Sequence, residues 1–352
     1  MQKVISGIQQ IGIGIPDVHE AWRWYRLNFG MNIPVFEEAA TAKLMVPYTG
    51  GSPQSRHAVL AINLQGGGGF EIWQFTSRKP QPPAFPIQLG DYGIFATKIK
   101  SHDVAATYQL FKKRGLDVLS APQLAPCGQL QFFLRDPYNN LFQVVPGNAW
   151  FKKNKNLTGG SGGCMLGVSN IEKARALYSG ILGYDNVVYD QTDIFNDLAT
   201  LPGGQIACRR VLLRHSQPRQ GSFSRLLGPS EIELIQVRDR TASKIYQNRY
   251  WGDLGFIHLC YDIVGMQALE QECRAKGFPF TINSSQSFEM GEAAGHFAYI
   301  EDPDGTLIEF VETHRIPIFK KIGWYLNLKN RSPEKALPDW MLKTLSFSQV
   351  KD

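Results

Sequence analysis

The chain repeats its own plan, and no other feature of the sequence restricts its fold as much. Near the start, Gln10-Ile11-Gly12-Ile13-Gly14-Ile15 alternates like a strand, Glu20-Ala21-Trp22-Arg23-Trp24-Tyr25 reads as a helix, and Phe29-Gly30-Met31 closes it with a turn. The same order returns in Gly163 to Ile171, then Glu172 to Tyr178, then Leu182-Gly183-Tyr184. Tyr25 and Tyr178 are 153 residues apart, and so are Gly30 and Gly183, so the match runs through strand, helix and turn without a gap. Further on, Glu71-Ile72-Trp73-Gln74 recurs as Glu233-Leu234-Ile235-Gln236, and Asp136-Pro137-Tyr138-Asn139 recurs as Asp302-Pro303-Asp304-Gly305. Each half divides again, which yields four units near 6–78, 91–147, 160–240 and 253–313, each readable as β-α-β-β-β. The Asp-Pro turns place an Asn or Gly where a tight hairpin needs positive φ, just before the last strand of units two and four.

Composition narrows the function classes. With 43% hydrophobic and 19% charged residues the chain is globular rather than disordered. The net charge of +6 is carried in short pieces such as Lys152-Lys153-Asn154-Lys155, without the continuous stripe that nucleic acid requires. No apolar run approaches a membrane span and the N-terminus does not read as a signal peptide, so neither a nucleic-acid nor a membrane partner is expected, and a cytoplasmic location is. Five widely spaced cysteines fit neither a disulfide framework nor a zinc knuckle. Gly12-Ile13-Gly14 lacks the third glycine of a dinucleotide fingerprint, and Gly66-Gly67-Gly68-Gly69 has no following Gly-Lys-Ser/Thr. His19, His57, His102, His215 and His314 show no ligand-type placement. The tail after Thr313 carries a short helical stretch at Pro338 to Lys343, and its Trp324, Tyr325 and Trp340 are expected to bury against the body or a second subunit, which leaves a homodimer open.

With His258-Leu259-Cys260-Tyr261-Asp262 opening unit four and Glu301-Asp302-Pro303-Asp304-Gly305-Thr306-Leu307-Ile308-Glu309-Phe310 closing it, residues 5–313 resemble the vicinal oxygen chelate superfamily, the glyoxalase, bleomycin-resistance and extradiol-dioxygenase group. The resemblance implies an α+β fold, four βαβββ modules forming two cupped, barrel-like mixed sheets, with a divalent metal between paired modules. One ligand is then expected on the first strand of each unit and one on its last. Carried over position by position, units one to four supply Gln10 and Glu71, Ala96 and Gln143, Gly163 and Glu233, His258 and Glu309. Glu231 competes with Glu233 on the same strand face, and the Glu-x-x-Gln match selects Glu233.

Two pairings follow. Short connections favour consecutive units. The domains are then 1–148, an N-terminal pair with a degenerate site; a linker at 149–159; 160–314, a C-terminal pair holding metal on His258, Glu309 and Glu233; and the tail 315–352. The resemblance to single-chain four-unit glyoxalases implies the other pairing, in which Gln10 and Glu71 join His258 and Glu309. Consecutive pairing is the expectation on connection length. Imidazole with carboxylates suits one divalent ion, Zn, Ni, Mn, Co or Fe(II). Glu309, His296 and Tyr299 are the candidate acid-base groups.

The function implied is metal-assisted proton transfer on a small substrate with two chelating oxygens, by a glyoxalase-like isomerase or lyase. An extradiol-type dioxygenase is the alternative, and the Gly163 position withholds the second His that such a site needs in the C-terminal half. A non-catalytic small-molecule binding protein is a third reading.

Overall fold

The computed structural model describes residues 2–284, 288–290, 293–319 and 324–351, without the side chains of 288–290, 293–294, 317–319 and 324–325. The Gly-punctuated stretch from Ser287 to Phe297, a candidate cover for the cup, falls partly outside the described residues, as do the side chains of Trp324 and Tyr325.

Unit one comprises β1 (Val4–Gly14), α1 (Val18–Phe29), β2 (Ile33–Ala42), β3 (Gln54–Ile62) and β4 (Gly69–Phe75). Unit two holds β5 (Gly93–Ser101), α2 (Val104–Lys113), β6 (Asp117–Val118), β7 (Gln123–Leu124), β8 (Leu130–Arg135) and β9 (Leu141–Pro146). In unit three are β10 (Thr158–Gly167), α3 (Ile171–Tyr178), β11 (Asn186–Asp193), β12 (Cys208–Arg214), α4 (Ser224–Leu227) and β13 (Glu231–Val237). Unit four has β14 (Gly255–Val264), α5 (Met266–Ala275), β15 (Ile282–Asn283), β16 (Phe288–Met290), β17 (Ala293–Glu301) and β18 (Leu307–Phe319), followed by β19 (Trp324–Asn327) and α6 (Asp339–Lys343) in the tail.

The local signals act as their chemistry requires. Asp17 caps α1 by accepting from the backbone N–H of His19 and Glu20, and Gly30 ends it at φ 68°. In the two Asp-Pro turns Asp136 Oδ1 accepts from Tyr138 and Asn140, and Asp302 Oδ1 from Asp304 and Thr306. Trp340 stays exposed, contrary to its expected burial against the body.

The strand order departs from consecutive pairing. One mixed sheet runs β15-β17-β18-β14-β1-β4-β3-β2, joining unit four to unit one through antiparallel β1 and β14. The other runs β11-β12-β13-β10-β5-β9-β8-β6, joining unit three to unit two. The split into an N-terminal pair at 1–148 and a C-terminal pair at 160–314 therefore does not describe the sheets, since each sheet draws on both halves. Connection length still has its say. The eleven residues 147–157 link the two consecutive units that do share a sheet, whereas seventeen residues, 76–92 and 238–254, separate those that do not.

Alternation divides the apolar residues between two layers. From the first sheet, Ile11, Ile13, Phe70, Ile72, Leu259, Tyr261, Ile308 and Phe310 pack on the helix-covered face into a core shared by both sheets. Trp73, Phe75, Cys260, Phe297, Tyr299, Leu307 and Val311 line its concave face. Consecutive units meet at this shared core: Tyr25 on α1 donates to Asp136 of unit two at 2.6 Å, and Tyr178 on α3 to Asp302 of unit four at 3.0 Å.

Candidate metal centre

On the concave face of the first sheet, four central strands each present one polar side chain. These are Gln10 on β1, Glu71 on β4, His258 on β14 and Glu309 on β18. His258 Nε2 lies 3.0 Å from Glu309 Oε2 and 3.4 Å from Glu71 Oε2. Gln10 Nε2 lies 3.4 and 3.5 Å from the same two oxygens. Parallel pairing of β1 with β4 and of β14 with β18 holds the four together, and the antiparallel β1–β14 seam opposes the two halves.

Gly12 makes the space. It is the cross-strand partner of His258, and a Cβ there would stand 2.5 Å from the imidazole Cε1. The ring packs near-parallel to Trp251 at 6.3 Å between centroids and edge-on to Tyr299 at 5.6 Å.

The charges in this cup do not balance. Among the described residues, His258 is the single cationic partner of two buried carboxylates. Burial opposes a charged imidazolium, but Glu309 and then Glu71 outweigh it and hold the His258 pKa up at about 9. Even with that proton, one positive charge faces two negative ones. Both His258 ring nitrogens and Gln10 Oε1 are buried without a hydrogen-bond partner, despite the short separation from Glu309. The donors surround a common point instead of bonding one another. Two donors each about 2.0 to 2.1 Å from a tetrahedral ion lie about 3.3 to 3.4 Å apart, and closer in an octahedron, so the observed spacings fit a transition ion. A divalent ion with neutral imidazole, two carboxylates and the Gln10 amide turned to offer its oxygen would cancel the charge and give His258 Nε2 and Gln10 Oε1 a partner.

Tyr299 reaches this site. It sits opposite Glu309 in the β17–β18 ladder, and burial, with the Glu309 and Glu71 charges, raises its phenol well above the ordinary range, which keeps it protonated. His296 does not reach it. Three residues before Tyr299, it points to the opposite face of β17, where its Nε2 pairs with Asn283 Oδ1 at 2.6 Å. Sequence reasoning missed Gly12, Trp73, Trp251 and Cys260. Trp73 and Cys260 each lie two residues beyond a ligand position on the same strand, so alternation would have found them, whereas Trp251 comes from a loop and leaves no such signal.

Glu233, expected beside His258, lies in the other sheet. Its carboxylate is met by Arg210 Nε, by Lys98 Nζ at 2.6 Å and by Tyr189 Oη at 2.6 Å. Burial alone would raise its pKa, but Arg210 and Lys98 hold it well below the usual carboxylate range. Lys98 also binds Glu231 at 2.7 Å, and Arg210 binds Asp197 at 2.7 Å. This second cup supplies its own cations, and the space left beside them is about 10 Å³, roughly one water. Gly163, the first-strand position of unit three, takes φ 135°, and a Cβ there would fall 1.8 Å from the Glu231 carbonyl oxygen, so the backbone itself forbids a ligand side chain.

Residues 7–144 match the Glyoxalase/Bleomycin resistance protein/Dioxygenase superfamily, and residues 164–299 match it a second time. The chain belongs to that superfamily. Among solved structures, a putative dioxygenase from Bacillus subtilis aligns over 88% of this chain and 86% of its own at 13% identity and a TM-score of 0.57. Glyoxalase I from Zea mays aligns over 88% and 92% at 13% identity and a TM-score of 0.52. At such identities the likeness is one of fold. No curated protein matches this chain in sequence. As a glyoxalase/dioxygenase superfamily member it carries one cup with converging donors and one closed by its own ion pairs. No helix among the described residues is long and apolar enough to cross a membrane.

Proposed function

We propose that the chain is a metal-dependent enzyme that moves a proton on a small organic substrate bound through two neighbouring oxygens. The observation that carries this reading is the set Gln10, Glu71, His258 and Glu309: four converging donors with an excess of buried negative charge. A bound divalent ion supplies Lewis acidity there, polarising the substrate oxygens without itself changing oxidation state.

The chain's own groups supply the rest. His258 and Gln10 act as neutral donors that fix the site. The Glu71 and Glu309 side chains keep 10% of their surface while His258 is fully enclosed, so a substrate approaches across the carboxylates. Either carboxylate can take a proton from a carbon beside a carbonyl and return it to the neighbouring position. The Tyr299 hydroxyl, facing Glu309, donates to an oxygen that gains charge. Trp73, Trp251, Phe75 and Phe297 keep water from the reacting centre, and the buried indole N–H groups of Trp73 and Trp251 have no protein partner, which suits an oxygen-rich ligand.

The test is deuterium incorporation. Metal-loaded protein in heavy water, given a panel of α-hydroxy ketones and α-keto aldehyde adducts, should place deuterium on the carbon beside the carbonyl, and Glu309→Gln should abolish this. Substrate-dependent oxygen uptake by the iron-loaded protein with catechols, lost in His258→Ala, would replace proton transfer by dioxygenase chemistry. A purified protein that takes up no zinc, manganese, nickel or ferrous iron would remove the metal-dependent reading.

A further inference from the structure

We propose that His19, Glu37 and His57 form a second, exposed site for a borderline divalent ion of the zinc, nickel or copper type, on the side of the first sheet opposite the central cup. Neither histidine has a ligand-type position in the sequence, because the three residues come from three elements. His19 stands in the first turn of α1, Glu37 on β2 and His57 on β3. In the antiparallel β2–β3 ladder Glu37 faces Val59 and His57 faces Ala39, so Glu37 and His57 are diagonal neighbours on one face. Val59 belongs to the helix-covered core, which puts this pair beneath the start of α1 and away from Glu71 and Glu309.

The distances favour ligation over simple pairing. Glu37 Oε1 is 3.6 Å from His19 Nε2 and 3.3 Å from His57 Nε2, and all three donor atoms lie within 4.8 Å of one another. Both separations exceed the usual 2.7 to 3.2 Å of an N–H···O hydrogen bond and bracket the ~3.3 to 3.4 Å edge of a tetrahedral zinc site. The two rings meet edge to face at 5.1 Å between centroids, so their Nε2 atoms converge on one carboxylate without stacking. Two imidazoles and one carboxylate select transition ions over magnesium or calcium, and solvent completes the coordination because His19 and Glu37 are 61% and 38% exposed. Bound metal would tie the start of α1 to the β2–β3 hairpin at the edge of the sheet.

Equilibrium dialysis of the metal-stripped full chain against zinc chloride separates this site from the central one, because it reads a difference between two proteins with the same cup. The parent should hold one zinc more per chain than His19→Ala/His57→Ala. Zinc should also raise the melting temperature of the parent further than that of the variant. Glu37→Gln should weaken the additional site by about tenfold or more, since even a change outside the ligands costs ~10- to 100-fold. Copper(II) in the parent should give an electron paramagnetic resonance spectrum with two coupled imidazole nitrogens that is absent from the double variant. Equal zinc content in parent and double variant would overturn the proposal, and unchanged affinity in Glu37→Gln would remove the carboxylate from it.

Discussion

Gly12 and His258 show how much of a ligand site lies in the space around it. The imidazole occupies the volume that a side chain at position 12 would fill. Gly12→Ala is expected to displace the ring, lower metal affinity at least ~10-fold and leave the circular dichroism spectrum unchanged. Metal uptake by dialysis checks this, and undiminished uptake would mean that the ring moves without cost. Asp262 makes a second case at this scale. Burial, reinforced by Glu312 and opposed by the nearby Ser6 hydroxyl, lifts its pKa to about 7. A carboxyl near 3.9 in the unfolded chain and near 7 in the fold binds more protons when folded, so its contribution is complete below about pH 4 and lost as pH rises through 7. Asp262→Asn should therefore gain on the parent as pH rises from 5 to 8, by about 2.5 kcal/mol at most. Denaturant melts at the two pH values decide it, and parallel pH profiles would refute the assignment.

Strands carry the chemistry because alternation lets one element serve two layers. On β18, Glu309 enters the cup while Ile308 and Phe310 enter the core, and on β17 the same rule turns Tyr299 in and His296 out. The unit-four motif made His258 and Glu309 legible, and the Glu-x-x-Gln repeat made Glu71 legible. Glu233 shares that motif, and its different fate came from neighbours that no spacing reveals: Lys98 on β5 and Arg210 on β12. Lys98→Met should leave buried Glu233 with Arg210 as its remaining cation, while Glu231 keeps Arg214 at 2.8 Å, and should destabilise the fold by about 3 to 5 kcal/mol. Adding Glu233→Gln should recover part of that loss by removing the buried charge, and metal uptake at the other sheet should not change. Urea melts of the two variants test the pair, and a single variant as stable as the parent would show that Arg210 alone balances Glu233.

At the scale of the molecule, β1–β14 and β5–β10 are the seams of the sheets, and both join residues from opposite halves of the chain. Tyr25 to Asp136 and Tyr178 to Asp302 fasten consecutive units through helix and turn instead. Each half alone would leave two long central strands unpaired along their edges. Fragments 1–150 and 151–352 are expected to be unfolded or aggregated when expressed separately, and to recover the circular dichroism and metal uptake of the intact chain when refolded together. Independent folding of either fragment would contradict this strand order.

Repeat spacing, strand alternation and turn chemistry, all properties of short stretches, were enough to define four βαβββ units, and the family resemblance that rests on them nominated His258 and Glu309. Which units share a sheet was decided by tertiary structure. Both pairings satisfy the same local pattern, and the choice depends on which first strands form the antiparallel seam, a contact between residues as distant as Gln10 and Cys260. The same contact chose Gln10 and Glu71 as companions of His258 and sent Glu233 to Lys98 and Arg210. Charge balance in a buried cup is a sum over strands from both ends of the chain, so only the folded molecule could assign it.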